Sequence, residues 1–470
     1  MIFINREKEM KFLKEAKELS KKKLFTLAVW GPRRIGKTRL LLEFMDTRDL
    51  YLFVNKNKTS RSLLEEFQNT LKEKNMLSEL EELKNWETFF KVIFERFKGT
   101  IVFDEFQNFM YVEPSVFGIL QKFIDMYEHT SGLLIIFCGS LIGLMKKTFS
   151  KKEPLYGRIK RKLRIKPLDF QNVCKMCKHL NIDFENCVKL YAIFGGYPKY
   201  YVSIEDEGLE GKSFDEIMER FFFRENAVLE DEVQTILSLE FGKRRGVYYD
   251  ILSAIANGCR RIGEIASYMR KKQTSITRHL RELVKEFEYI EYETQAVGNK
   301  RLLKISHPLI NFWMKFFHKN LSLYIKRDEE FLRKVKRSIN DYIGKRFEII
   351  CRELLPTLLP ITFTRIGKQW GKIPSAPVGK NVYEIDIVAL NENTKEILFA
   401  ECKWKSRVNA KKVVKELAEK ARYVEWFNEQ RKENYAVFAK NFSKRIDKFE
   451  DKKVYCFDLK DLEKMLKRRY

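Results

Sequence analysis

Apolar residues along this chain recur in three rhythms, and each rhythm predicts a different kind of element. Near the start, FTLAVW, then IVF, then LLIIFCG are short continuous apolar runs, each stopped by glycine or a polar residue. Such runs predict the buried strands of a largely parallel sheet. From about residue 245 the rhythm turns helical: VYYDILSAIAN, RIGEIASYMR and TSITRHLRELVKEF predict three short amphipathic helices with tight connections. In the third, Ile276, Leu280, Leu283, Val284 and Phe287 share a face, which leaves Arg278, His279 and Arg281 largely outside it. YIEYETQAVGNKRLLKIS then alternates about a Gly298-Asn299 turn, the pattern of a β-hairpin. After a Lys-rich connector at roughly 322–340, the order becomes helix, strand, hairpin, helix, strand. The helix DYIGKRFEIICRELL has Ile343, Phe347, Ile350 and Leu354 on its apolar face and Glu348 at the edge.

The first apolar run leads into chemistry. Gly31, Pro32, Arg33, Arg34, Ile35, Gly36, Lys37 and Thr38, followed by Arg39 on an apolar-periodic helix, form a phosphate-binding loop in its strand–loop–helix setting. Glycines let successive N–H groups turn inward, and the helix N-terminus adds partial positive charge. Lys37 is expected on the β/γ-phosphates of ATP and the Thr38 hydroxyl on Mg²⁺. The second run ends in Asp104 and Glu105, placing one carboxylate for the magnesium shell and one to polarise an attacking water. The third ends at Ser140, a candidate γ-phosphate sensor. ATP hydrolysis is the expected activity.

Length and composition narrow the partners. At 470 residues about three domains are expected. Lys and Arg number 91 against 65 Asp and Glu, a net +26 that calls for a polyanion. The longest apolar stretch, GLLIIFCGSLIGLM, is interrupted by Gly-Ser and falls short of the ~20 residues needed to span a bilayer, so no membrane is expected. MIFINREKEMKFLKE has no apolar signal region, which predicts a cytoplasmic protein, and the Lys- and Glu-rich, Gln-poor composition points to a thermophilic source. Cys174, Cys177, His179 and Cys187 suggest zinc. No second CxxC completes the set, however, and the helical spacing of Phe170, Val173, Cys174, Cys177 and Leu180 favours a packed helix.

FINREKEMKFL, GPRRIGKT, VFDEFQ, LYGRIKRKLRIKPLDF and YAIFGGYPKYY together resemble the archaeal ATPase family, a clade of AAA-like and STAND-like P-loop proteins. The resemblance implies that Asn5 and Arg6 lie near the adenine and that Pro198 belongs to a helical lid. It also implies that Arg158 lies near the γ-phosphate, either in cis or, in a homo-oligomer, across a subunit boundary. The expected boundaries are 1–167 for the ATPase core, 168–240 for the lid, 241–321 for the three helices and hairpin, and 322–470 for the C-terminal domain.

The three helices and hairpin predict an α+β winged helix-turn-helix. Lys271, Lys272, Arg278 and Arg281 would face DNA, duplex or branched, with Lys300 and Arg301 at the wing tip; a packing module is the alternative. In the C-terminal part, Asp386 ends one strand and Glu401-x-Lys403 the next, and residues two apart on a strand share a side. Preceded by a helix bearing Glu348, this pattern resembles the PD-(D/E)xK nuclease superfamily, although no proline precedes Asp386. The resemblance implies that Asp386, Glu401 and the Cys402 carbonyl bind Mg²⁺, with Lys403 orienting the metal-bound water or steadying the transition state and Glu348 holding a second ion. A charged surface hairpin is the alternative. The fold class expected is therefore α/β: an ASCE/AAA-like P-loop core with helical lid, a winged helix and a restriction-endonuclease-like domain. The function expected is an ATP-hydrolysing, DNA-binding protein with a Mg²⁺-dependent nuclease domain. A nucleotide-switched regulator with an inactive nuclease fold is the alternative.

Overall fold

The computed structural model describes residues 3–242, 245–374, 376–377 and 381–467. The first layered unit is a five-stranded parallel sheet: β1 (Phe25–Trp30), β2 (Leu50–Phe53), β3 (Gly99–Asp104), β4 (Leu133–Gly139) and β5 (Arg161–Arg164), in the order β2-β3-β4-β1-β5. Its inner strands β1, β3 and β4 are apolar on both faces because helices cover both, whereas the edge strand β5 is basic and half exposed. On one side Leu27, Val29, Leu134, Ile136 and Cys138 pack with Leu13 and Ala16 of the helix Glu7–Ser20. On the other, Ala28, Ile101, Phe103, Leu133, Ile135 and Phe137 meet an aromatic layer from the helices Ser60–Glu73, Trp86–Arg96 and Ser115–Met126. The period of two along each strand sorts its side chains between the two cores.

Helices Phe170–His179, Phe184–Phe194, Pro198–Asp206 and Glu232–Phe241 follow, and their cores are continuous with the first face of the sheet. Then come helices Arg245–Ala256, Ile262–Tyr268 and Gln273–Lys285 and an antiparallel hairpin, β6 (Ile290–Thr294) with β7 (Arg301–Ile305). Gly298 takes φ +100° in its turn, where a side chain would be strained.

The expected connector begins with a short helix, Leu321–Ile325, and its remainder joins the helix after it in one element, Glu329–Leu358, whose apolar stripe runs from Phe331 to Leu358. Beyond it lie β8 (Arg365–Lys372), β9 (Val382–Asn391), β10 (Glu396–Lys403), β11 (Val408–Asn409), the helix Ala410–Ala421, β12 (Lys432–Ala439), β13 (Phe442–Lys444), β14 (Lys448–Phe449), β15 (Lys452–Phe457) and the helix Leu459–Lys467. The main C-terminal sheet has the order β14-β15-β12-β10-β9-β8; β8, β9 and β10 run antiparallel, and the helix Ala410–Ala421 crosses over to a parallel β12.

The hairpin is not free. Ala296 N–H donates to the Lys368 carbonyl at 3.0 Å, Val297 N–H to Gln369 Oε1 at 2.9 Å, and the Gln295 amide to the Trp370 carbonyl. It thereby covers the exposed edge of β8, a row of backbone groups that would otherwise invite foreign strands. Among the described residues no helix is long and apolar enough to cross a membrane.

Candidate functional site

In the sheet register Trp30 lies beside Gly139 and Phe53 beside Asp104, so the carboxyl ends of β1, β3 and β4 bring Gly31, Asp104, Glu105 and Ser140 together. Crevices at such strand ends are where ligands bind in open α/β sheets. Gly31 passes so close to Ile165 that a Cβ would sit 2.5 Å from its carbonyl oxygen. Gly36 turns the chain at φ +87° into the helix Lys37–Phe44. Buried Lys37 donates to the carbonyls of Gly31 and Pro32, both at 2.9 Å, and burial pulls its pKa down. Thr38 Oγ1 donates to Asp104 Oδ2 at 2.8 Å, and the Tyr51 hydroxyl donates to the same oxygen at 2.7 Å.

Glu105 takes the left-handed conformation at φ +53°. Its carboxylate accepts from Ser140 Oγ at 2.6 and 2.8 Å and from the Gln107 amide, with Arg33 Nη1 3.9 Å away. Arg33 Nε is buried without a hydrogen-bond partner. An anion-seeking guanidinium, a glycine-lined loop, a helix N-terminus and a hydroxyl–carboxylate pair fit a magnesium-bound triphosphate.

These groups open into a cavity of about 550 Å³. Its lining combines the loop residues Arg33, Arg34, Ile35, Gly36, Lys37, Thr38 and Arg39 with Glu105 and Ser140, and adds the apolar Phe3, Ile4, Leu168, Met176, Pro198, Val202, Ile236 and Leu239. The mixed lining suits a base at one end and phosphates at the other. Asn5 is not among the lining residues. Arg6 lines the cavity but also braces the loop, donating to the carbonyls of Ile35 at 3.1 Å and Lys166 at 2.8 Å. Arg158 is away from the site in its own chain. It pairs with Asp125 at 2.7 Å, and its carbonyl accepts from Thr26 near the amino end of β1, the end opposite the loop. The cis placement is therefore corrected by strand geometry.

Within the span expected as a helical lid, one contact carries no mark in the sequence. The helix Glu232–Phe241 lies over the cavity and contributes Thr235, Ile236 and Leu239. Glu232 takes Arg34 in a two-point pair at 2.8 and 2.9 Å. Burial pushes the Glu240 carboxyl up to about 8, with Arg33 and Lys37 opposing and Glu105 adding to the rise. A cluster of carboxylates beside a phosphate loop is invisible to motif spacing, because 198 residues separate Arg34 from Glu232.

Around the third helix of the middle module, Lys271, Lys272, Arg278 and Arg281 are exposed, as are Lys300 and Arg301 on the hairpin. Arg278 is engaged by Glu282 at 2.8 Å, and Arg301 lies over the Tyr292 ring at 5.9 Å.

At the C-terminal sheet, Asp386 Oδ2 accepts from the Cys402 N–H at 2.9 Å. Burial, then Glu348 and Glu401, push the Asp386 carboxyl up to about 7. The expected metal set is nevertheless not assembled. Glu401 is paired with Lys403 at 2.8 Å and Lys420 at 3.2 Å, and Glu348 with Lys368 at 2.7 Å. Lys368 also reaches Glu384 at 2.6 Å. Among the described residues no three His, Cys, Asp or Glu side chains converge as metal ligands. Glu348 and Glu401 are thus each balanced by lysines, of which Lys368 and Lys420 carry no mark in the motif spacing, while Asp386 is held by the Cys402 N–H.

The parallel sheet and its loop define a P-loop ATPase domain. The family described as an ATPase domain predominantly from Archaea matches residues 3–204, and that described as archaea bacterial proteins of unknown function matches residues 313–414. The chain belongs to the same family as the uncharacterized protein MJECL04 of Methanocaldococcus jannaschii, which is 30% identical over 479 residues covering 98% of this chain and 100% of that one. The solved Walker-type ATPase PABY2304 of Pyrococcus abyssi shares the fold, with a TM-score of 0.51 at 22% identity over 67% of this chain and 96% of that chain.

Proposed function

We propose that this chain hydrolyses ATP with Mg²⁺ and uses the nucleotide state to control a DNA-holding winged helix-turn-helix. The observation that carries this reading is the helix Glu232–Phe241. It walls the nucleotide cavity, clamps the phosphate-loop Arg34, and leads in sequence directly into the three helices and hairpin.

The chemistry follows from the side chains. Lys37, now satisfied by loop carbonyls, is free to exchange them for phosphate oxygens, an exchange of hydrogen bonds rather than a new burial. Thr38 and Asp104 would hold Mg²⁺, which supplies charge neutralisation on the transferring phosphoryl group. Glu105 takes the proton of the attacking water once Ser140 lets go of its carboxylate. Arg33 faces the charge that develops on the phosphate oxygens.

Phosphate release measured with and without Mg²⁺, beside fluorescence anisotropy on duplex DNA with ATP, ADP or neither, tests the reading. Affinity that differs between nucleotide states and falls steeply with salt is expected. Equal affinity in all three states removes the control, and no binding at low salt removes the DNA.

A second reading, cutting of DNA at Asp386, Glu401 and Lys403, is favoured by the order helix, three antiparallel strands, crossover helix, parallel strand, and by the crowding of Asp386 against Glu348 and Glu401. Lysines already occupy Glu348 and Glu401, so holding DNA rather than cutting it is the primary assignment. Supercoiled plasmid with Mg²⁺ or Mn²⁺, with and without ATP, separates the two; cleavage lost in D386A/K403A would establish cutting.

A further inference from the structure

Three of the eight cysteines converge outside every site described so far. Cys174 and Cys177 lie on the helix Phe170–His179 and Cys187 on the next helix, Phe184–Phe194. All three are free thiols, and Cys187 Sγ stands 3.7 Å from Cys174 Sγ. They line one cavity of about 380 Å³, whose other wall includes Glu463, Leu466 and Lys467 of the last helix. Cys174 is partly exposed, whereas Cys177 and Cys187 are buried. The trio does not form a metal site, since no three such donors converge suitably among the described residues.

We infer that Cys174 and Cys187 are a dithiol that closes to a disulfide, stapling the two helices when a small disulfide reaches this cavity. A disulfide needs its sulfurs at about 2.05 Å, so an approach of roughly 1.7 Å is required, a distance that side-chain torsions span. Accessibility sets the order of events. The Cys174 thiol loses its proton and attacks one sulfur of a low-molecular-weight disulfide; a mixed disulfide forms, and the first thiolate leaves and takes up a proton. The buried Cys187 thiol then loses its proton and attacks the Cys174 sulfur, expelling the second thiolate, which is protonated in turn. Two protein thiols are oxidised and one external disulfide is reduced to two thiols. Burial raises the pKa of both cysteines, which keeps the thiolate fraction low, so closure is slow and quickens as pH rises.

The staple bears on the nucleotide cavity, because Met176 of the same helix lines it between Cys174 and Cys177. Its place in the lid also explains why a three-cysteine cluster sits on elements whose spacing reads as ordinary core.

The test incubates the full chain with hydroxyethyl disulfide, then alkylates and measures intact mass and linked peptides. Expected are the loss of two hydrogen masses, two of the eight thiols protected from alkylation, and one peptide pair joining 174 to 187, all reversed by reductant. Cys177→Ser should close as the wild type does. Cys187→Ser should instead stop at the first step and carry a stable mercaptoethanol adduct on Cys174. The inference is overturned if all eight thiols stay alkylatable, if the linked peptide contains a different pair, or if Cys187→Ser still closes. Peptide mapping of the wild type gives the answer even if a serine variant fails to fold.

Discussion

Arg34 Nε and Nη2 meet the two carboxylate oxygens of Glu232 at 2.8 and 2.9 Å, so the phosphate loop and the helix over its cavity are joined by a parallel pair of charge-assisted bonds. Arg34 holds φ +68° within the loop, a conformation uncommon for a non-glycine residue. A bound triphosphate offers Arg34 a competing anion, and the pair can then break. Glu232→Gln should therefore reduce the difference in DNA affinity between the ATP and ADP states. The measurement is anisotropy in both nucleotides. A difference unchanged from the wild type would mean that this pair is not the link. Because Arg34 is partly solvated, the loss in global stability should stay near 1 kcal/mol.

Lys37, Glu105 and Ser140 should separate into three phenotypes. Lys37→Ala removes the cation expected on the phosphates, so nucleotide binding by equilibrium dialysis falls with turnover. Glu105→Gln keeps binding and loses turnover by roughly 10²–10⁴-fold, the usual range for a general base. Ser140→Ala frees the Glu105 carboxylate from two hydrogen bonds, so it should lower turnover by less than Glu105→Gln does. Near-equal losses of binding in all three would show that they act only on the shape of the loop.

The difference between these residues and Glu232 explains what was legible in the sequence. Gly31, Asp104 and Ser140 each follow an apolar strand, so adjacency along the chain already stated their position at a sheet end, and the parallel register then brought those ends level. Glu232, Tyr51, Lys368 and Lys420 carry no such local mark. Each becomes a site residue only because elements distant in sequence pack together, and a lysine on an alternating strand looks the same whether it meets water or two carboxylates. The cis placement of Arg158 does not hold, for the converse reason. The basic run that contains it straddles β5, and only the register shows that Arg164 stands beside the carboxyl end of β1 while Arg158 lies at the other. The winged-helix pattern specified three helices and a hairpin correctly in order, yet nothing in the alternation announced that Ala296 would be buried against β8.

His307 sets an acid limit on stability. It is buried, its ring lies 4.0 Å from that of Tyr197, and burial, helped by Arg346, pushes its pKa down to about 3. The folded state therefore keeps it neutral while the unfolded chain protonates near 6.5, so its contribution is present above about pH 6.5 and is lost as pH falls toward 3. By pH 5 the loss should reach about 2 kcal/mol. His307→Phe keeps a ring against Tyr197 and removes the titration. Urea midpoints at pH 7.5 and pH 5 should differ less in this variant than in the wild type, and equal differences would exclude His307 as the cause.

Lys368 is the cation that holds Glu348 and Glu384 at the C-terminal sheet. It is 8% exposed, holds Glu348 at 2.7 Å and Glu384 at 2.6 Å, and its pKa is raised because these two carboxylates outweigh its burial. Its backbone carbonyl meanwhile accepts the Ala296 N–H of the hairpin, so one residue ties the middle module to the carboxylate cluster. Lys368→Met leaves the half-buried Glu348 (19% exposed) uncompensated, and removal of one partner of such a pair costs up to about 3 kcal/mol. If the charge is the cause, adding Glu348→Gln should recover most of that loss in a urea titration, because the remaining Glu384 is largely solvated. A double variant no more stable than Lys368→Met would instead assign the cost to lost packing under the hairpin. Glu384→Gln alone should cost under 1 kcal/mol by the same solvation argument.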